Sequence, residues 1–154
     1  MEISIDTATR FASVALSSEG QVAAELSWRS DRNHSVELVP AMRLLMGQAG
    51  VEMDAIEAVF VMRGPGGFSA LRVGISVAKS LAVGRGIPIV GVGTLEVEAM
   101  PYRGLGLPVC AVVGAGRSTV YAATFEEGPD RGPGGDFRVE SHDELASSVD
   151  RPTL

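Results

Sequence analysis

Apolar and polar positions alternate through three short stretches at the start of the chain. Ile3 and Ile5 share one face of residues 2–6, Val14 and Leu16 one face of 11–17, and Val22, Ala24, Leu26 and Trp28 one face of 21–28. A period of two marks strands with one buried face, and Ser18–Gly20 supplies a turn, so the pattern predicts a β-meander. The period then changes. Leu38, Met42, Leu45 and Ala49 recur at i, i+4, i+7 and i+11, with Val39 and Met46 widening the stripe, which predicts a helix over 35–49. Asn33 or Ser35 is placed to cap it, Gly47 and Gly50 mark its end, and Pro40 predicts a kink or a later start. Ile56–Met62 is almost continuously apolar, the pattern of a strand buried on both faces. Arg63–Gly67 interrupts it with three glycines and a proline, a helix over 68–84 follows, and 87–92 reads as a second buried strand. Strand, glycine loop, helix and strand in that order form a βαβ unit with a parallel pair.

Thr94 is a natural N-cap for a short helix reaching Met100, and 101–108 reads as a connector between lobes. Strands are expected over 109–113 and 119–125 around a Gly114–Ser118 turn. A Gly/Pro loop follows at 128–136, and Ser141 with Glu144 has the spacing of a capping box opening a last helix. No internal repeat is present.

Composition narrows the class. Of 154 residues, 45% are hydrophobic and mean hydropathy is +0.21, which supports a real core and excludes a disordered chain. The longest apolar runs are too short to span a bilayer, and Glu2 and Asp6 stand where a signal peptide would be apolar. The expectation is a cytoplasmic protein with no membrane contact. One cysteine, Cys110, excludes an internal disulfide framework and a multi-cysteine zinc site. Net charge is −6 and unevenly spread. Residues 123–154 hold eight acidic and three basic side chains, against eleven and ten in residues 1–122. No basic cluster suited to gripping phosphodiesters appears, so any nucleic acid is expected to be served only indirectly, through a partner.

The candidate chemistry is thin. Gly64-Pro65-Gly66-Gly67-Phe68-Ser69 follows a strand and opens a helix, where backbone N–H groups can cradle phosphate. It fails as a dinucleotide fingerprint, because Ser69 takes the third glycine's place, and Lys79-Ser80 lacks the glycine of a Walker A loop. Gly114-Ala115-Gly116 runs into a strand and reads as a hairpin turn. His34 and His142 have no second histidine or cysteine at i+3 or i+4, and His34 has Glu37 alone there, so no metal site is expected. Cys110 has no flanking base and no Gly-x-Ser-x-Gly elbow occurs, which leaves no catalytic constellation. Asp6, at a strand end, reads either as a carboxylate beside a metal–phosphate site or as one bonding its own turn.

Ile5-Asp6-Thr7-Ala8-Thr9 followed by Ser13-Val14-Ala15-Leu16 resembles the opening of the acetate kinase, sugar kinase, Hsp70 and actin superfamily. With His34-Ser35-Val36-Glu37-Leu38-Val39-Pro40, the block Arg63–Gly74, Pro88–Leu95 and, more weakly, Ala115-Gly116-Arg117 with Val120-Tyr121, the chain resembles the TsaB (YeaZ) family. It departs from that family's Gly-Pro-Gly-Ser-Phe-Thr-Gly at Gly67, Ser69 and Ala70, and from its Asp-Ala-Arg at Gly114–Arg117. The family's chains are longer, so this one reads as a fragment or a naturally short member. The resemblance implies an α/β, actin-like ATPase (ribonuclease H-like) fold with a mixed sheet flanked by helices. It also implies two lobes, lobe I over 1–104 and an incomplete lobe II over 105–154.

By the same resemblance the function is that of a non-catalytic scaffold. Such a subunit pairs with TsaD and helps recruit TsaE for threonylcarbamoylation of a tRNA adenosine beside the anticodon, and it forms a homodimer in isolation. The related TsaD subunits carry a His-x-x-x-His metal motif, whose second place is Leu38 here. No cofactor is expected beyond weak, vestigial nucleotide binding at Asp6, Thr7, Gly64, Gly66 and Gly67. The rival readings are an active small-molecule kinase, a metallopeptidase-like enzyme and a purely structural homodimer. The expected partner interface comprises Leu38, Met42, Leu45 and Met46 on the first helix, with Ala70, Gly74 and Ala78 on the second. A glycine inside a helix costs up to about 1 kcal/mol against alanine, so Gly74 is expected to admit close approach of another helix. On that expectation Gly74→Leu leaves a folded chain that neither dimerises nor binds TsaD.

Overall fold

The computed structural model describes residues 1–126, 137–148 and 153; the expected Gly/Pro loop at 128–136 lies outside them. The chain divides into two compact units, Met1–Arg63 with Gly67–Val92, and Gly64–Gly66 with Gly93–Leu154. The division falls at Gly93, earlier than the expected boundary after residue 104. The helix that begins at Thr94 buries Leu95 and Ala99 against the strands that follow it, so it belongs with them.

The first unit is built on a five-stranded sheet. Strands β1 (Glu2–Asp6), β2 (Phe11–Ser18), β3 (Gln21–Arg29), β4 (Ala58–Gly64) and β5 (Ile89–Gly93) lie in the order β3-β2-β1-β4-β5. β1 is antiparallel to β2, with Ile3 opposite Leu16 and Ile5 opposite Val14. It is parallel to β4, with Ile3 opposite Val59 and Ile5 opposite Val61, so the sheet is mixed. Period-two alternation puts these six residues on one face, all buried. Burying a side chain of this size completely is worth roughly 1.5–3 kcal/mol. Helices α1 (His34–Ala49) and α2 (Phe68–Arg85) cover that face and pack against each other. α1 starts at His34 and runs through Pro40. It stops where Gly50 takes φ +64°, a left-handed value that glycine adopts without a Cβ clash.

Three expectations about the strands need correction. Val22 is 66% exposed rather than aligned with Ala24, Leu26 and Trp28. The β2–β3 register shifts between Leu16 and Ser17, where Leu16 faces Ala24 but Ser17 faces Val22. The extra residue on β3 turns Val22 onto the other face. β4 is buried on one face only, at Val59 and Val61, while Ala58, Phe60 and Met62 are half-buried. β5 is an edge strand, with Ile89 39% and Val90 42% exposed, so a continuous apolar run did not mean two buried faces.

In the second unit, α3 (Thr94–Ala99) is followed by a 3-10 turn over Met100–Tyr102. Strands β6 (Val109–Gly114), β7 (Thr119–Phe125) and β8 (Arg138–Ser141) form an antiparallel sheet in the order β6-β7-β8. The β6–β7 hairpin closes at the expected turn, where the Ala115 N–H donates to the Thr119 carbonyl at 2.9 Å. Thr94 is not the cap of α3. Gly93 takes that position, the Glu96 carboxylate accepts its N–H at 3.0 Å, and Thr94 is the first helical residue. Helix α4 (His142–Ser148) opens on the expected capping box. The Ser141 hydroxyl accepts the Glu144 N–H at 3.2 Å, and Glu144 accepts the Ser141 N–H at 2.7 Å.

Candidate functional site

The chemistry-bearing residues of the first unit gather where β1 ends and the two helices begin. At the end of β1 the Asp6 carboxylate accepts the Ala8 N–H at 2.8 Å, so it braces its own turn. Burial pushes its pKa up from an ordinary 3.8, while that hydrogen bond and the nearby His34 pull the other way. Thr7, fully buried, donates its hydroxyl to the Ala70 carbonyl at 2.8 Å. The Gly67 N–H donates to the Ala8 carbonyl at 2.8 Å. The turn after β1 is thereby stapled to the first turn of α2, and the Gly67 amide is already committed within the protein. Asp6, Thr7 and Gly67 are brought together; Gly64 adopts φ +101° and precedes a cis peptide to Pro65, with Gly66 following.

The stapling explains Gly74. A Cβ at this position would collide with the Thr7 hydroxyl, which is held in place by its bond to Ala70. Gly74 thus permits close approach of the β1 turn rather than of another helix. Leu38, Met42, Leu45, Met46 and Ala78 lie in the core of the unit, Gly74 is buried with them, and Ala70 is half-buried. Leu38, Met42, Leu45, Met46, Gly74 and Ala78 are thus turned into their own unit, which corrects their assignment to a partner surface, while Ala70 lines the groove beside Phe68. A side chain at position 74 meets Thr7 within the unit, so Gly74→Leu loads the fold itself before it reaches any partner.

The outward side of the same helices is apolar to a degree the periodicity did not reveal. Val36 is 68% exposed, Leu44 53% and Phe68 74%, and Val39 is also exposed. Beside Phe68 a groove of about 620 Å³ runs between the first turns of α1 and α2, lined by Arg32, His34, Ser35, Phe68, Ser69 and Val73 among others. Neither helix has a side-chain cap. His34 is buried, its Nε2 3.2 Å from the Thr9 carbonyl, and Leu38 one turn later is completely buried. Across the start of α1, Trp28 Nε1 donates to Glu37 Oε2 at 3.0 Å. Hydrogen bonds from Ser30 and then Trp28 hold the Glu37 carboxyl below its ordinary range.

Residues 24–144 match the family model described as TsaD, tRNA N6-adenosine threonylcarbamoyltransferase. A solved Pseudomonas aeruginosa structure, described as similar to peptidase YeaZ, superposes with a TM-score of 0.78 at 31% identity, over 92% of this chain and 67% of that one. The chain belongs to the TsaB/YeaZ family. The Escherichia coli tRNA threonylcarbamoyladenosine biosynthesis protein TsaB is 35% identical over 126 residues, 80% of this chain and 54% of its own length. The chain therefore spans about half the length of the curated TsaB relatives it matches. A Porphyromonas gingivalis N-acetylglucosamine kinase shares the fold, with a TM-score of 0.52 at 15% identity. The TsaB/YeaZ chain thus has the actin-like ATPase fold that its opening residues imply.

Proposed function

We propose that this chain is a non-catalytic scaffold in the synthesis of threonylcarbamoyladenosine in tRNA. It pairs with a TsaD-type subunit, helps to recruit the ATPase TsaE, and meets tRNA only within that complex, in the cytoplasm. The observation that carries this reading is family membership combined with the state of the β1 turn. The Gly67 amide and the Asp6 carboxylate, which a phosphate site would need, are bonded to the chain itself, and a buried Leu38 stands where the TsaD motif has its second histidine. Any nucleotide held at Asp6, Thr7 and Gly67 is bound weakly and is not turned over. The partner surface is the exposed outer side of α1 and the start of α2, at Val36, Val39, Leu44 and Phe68, and the isolated chain uses the same side to form a homodimer.

The test is light scattering of the chain alone and mixed with its host's TsaD, alongside ATP turnover and tRNA modification assays. A homodimer that gives way to a mixed complex, with neither activity in the pure chain, is the expected result. Metal-dependent ATP turnover by the pure chain, abolished in Asp6→Ala, overturns the scaffold reading in favour of a kinase.

A further inference from the structure

We propose that the groove between the first turns of α1 and α2 receives a carboxylate-bearing side chain, flanked by apolar residues, from the partner subunit. The inference rests on the scaffold reading and specifies the chemistry of its contact. Three features of the first unit converge on it. The lining residues include a guanidinium, Arg32, and no carboxylate at all. The acidic side chains nearest in sequence are engaged elsewhere: Asp31 lies 3.6 Å from Arg29, and Glu37 accepts from Trp28. An exposed aromatic wall, Phe68, carries the Arg72 guanidinium 5.5 Å from its ring centroid, which places a second positive charge beside the groove. A large exposed aromatic next to arginine is the usual make-up of an interface anchor.

Charge and apolarity together select the occupant. A chain of net charge −6 repels a polyanion at long range, and a phosphodiester backbone would meet Phe68, Ala70 and Val73 here rather than a basic stripe. A single carboxylate on an apolar segment satisfies both halves of the lining. It pairs with Arg32 while its neighbours cover Phe68. Opposite charges that meet at a rim steer association and make it sensitive to salt.

The experiment measures affinity of the full chain for its host's TsaD by isothermal titration calorimetry, for wild type, Arg32→Glu and Phe68→Ala. Both positions are exposed, and thermal melts establish that the variants fold. Each substitution is expected to weaken binding by about tenfold or more. Raising salt from about 0.05 M to about 0.5 M is expected to weaken the wild type several-fold and Arg32→Glu much less. Wild-type affinity in both variants overturns the groove assignment and leaves the scaffold reading standing. Failure of the wild-type chain to bind TsaD at all overturns both. Salt-sensitive binding of an anticodon stem–loop RNA to the free chain, lost in Arg32→Glu, makes the groove an RNA site and overturns the carboxylate proposal.

Discussion

The inward and outward sides of the α1–α2 pair carry apolar residues of similar kind and do opposite work. Inward, Leu38, Met42, Leu45, Met46, Ala78 and Ala82 are buried, and approach is so close that Gly74 has no space for a methyl group against Thr7. Outward, Val36, Val39, Leu44 and Phe68 stand in solvent. Apolar residues at helical spacing identify the side that meets the sheet. A second apolar row outside that stripe is the informative one for a partner, because nothing in the unit requires it. Small residues in a helix likewise report a close neighbour without saying which one, and here it is a turn of the same unit.

The contrast can be broken most directly on the inward side. Leu38→Ala is expected to cost about 2–5 kcal/mol by urea unfolding, the range for removing a buried leucine. A loss well below that range would mean α1 is not held by its inward stripe. Gly74→Ala is expected to cost about 1–3 kcal/mol through overpacking, partly offset by the better helix propensity of alanine. Combined with Thr7→Ala, much of that penalty should disappear, and a double-mutant cycle with no coupling would locate the crowding elsewhere.

A smaller effect comes from Asp6, whose pKa is raised by burial. The folded state holds its proton more tightly than the unfolded chain. Its contribution is therefore fully present below an ordinary 3.8 and is lost as pH rises through the raised folded value. Asp6→Asn keeps the oxygen that accepts the Ala8 N–H and removes the titration. The variant should gain stability relative to wild type as pH rises from the ordinary 3.8 through the raised folded value. A constant difference across that window would show that Asp6 is not desolvated on folding.

The least change is expected outward. Leu44→Ser should leave unfolding stability within about 0.5 kcal/mol while weakening self-association in light scattering. Loss of stability comparable to Leu38→Ala would erase the distinction between the two sides.

Local pattern was sufficient for most of the elements. Alternation at Ile3, Ile5, Val14 and Leu16, helical spacing from Leu38 to Ala49, and the Ser141–Glu144 capping box each report geometry set within a few residues, where sterics and hydrogen bonding act without distant help. The family was legible too, because the block Arg63–Gly74 is contiguous in the chain and keeps its Gly-Pro-Gly despite the departures at Gly67, Ser69 and Ala70. What tertiary structure alone decided were relations between segments far apart in sequence. The shift that turns Val22 outward belongs to the pairing of β2 with β3. The exposure of Ile89 and Val90 follows from β5 lying at the sheet edge. The use of Gly74 depends on Thr7, 67 positions earlier in the chain. In each case hydrophobicity was readable, but the direction a side chain faces depends on its neighbour across space, and no periodicity along the chain encodes that.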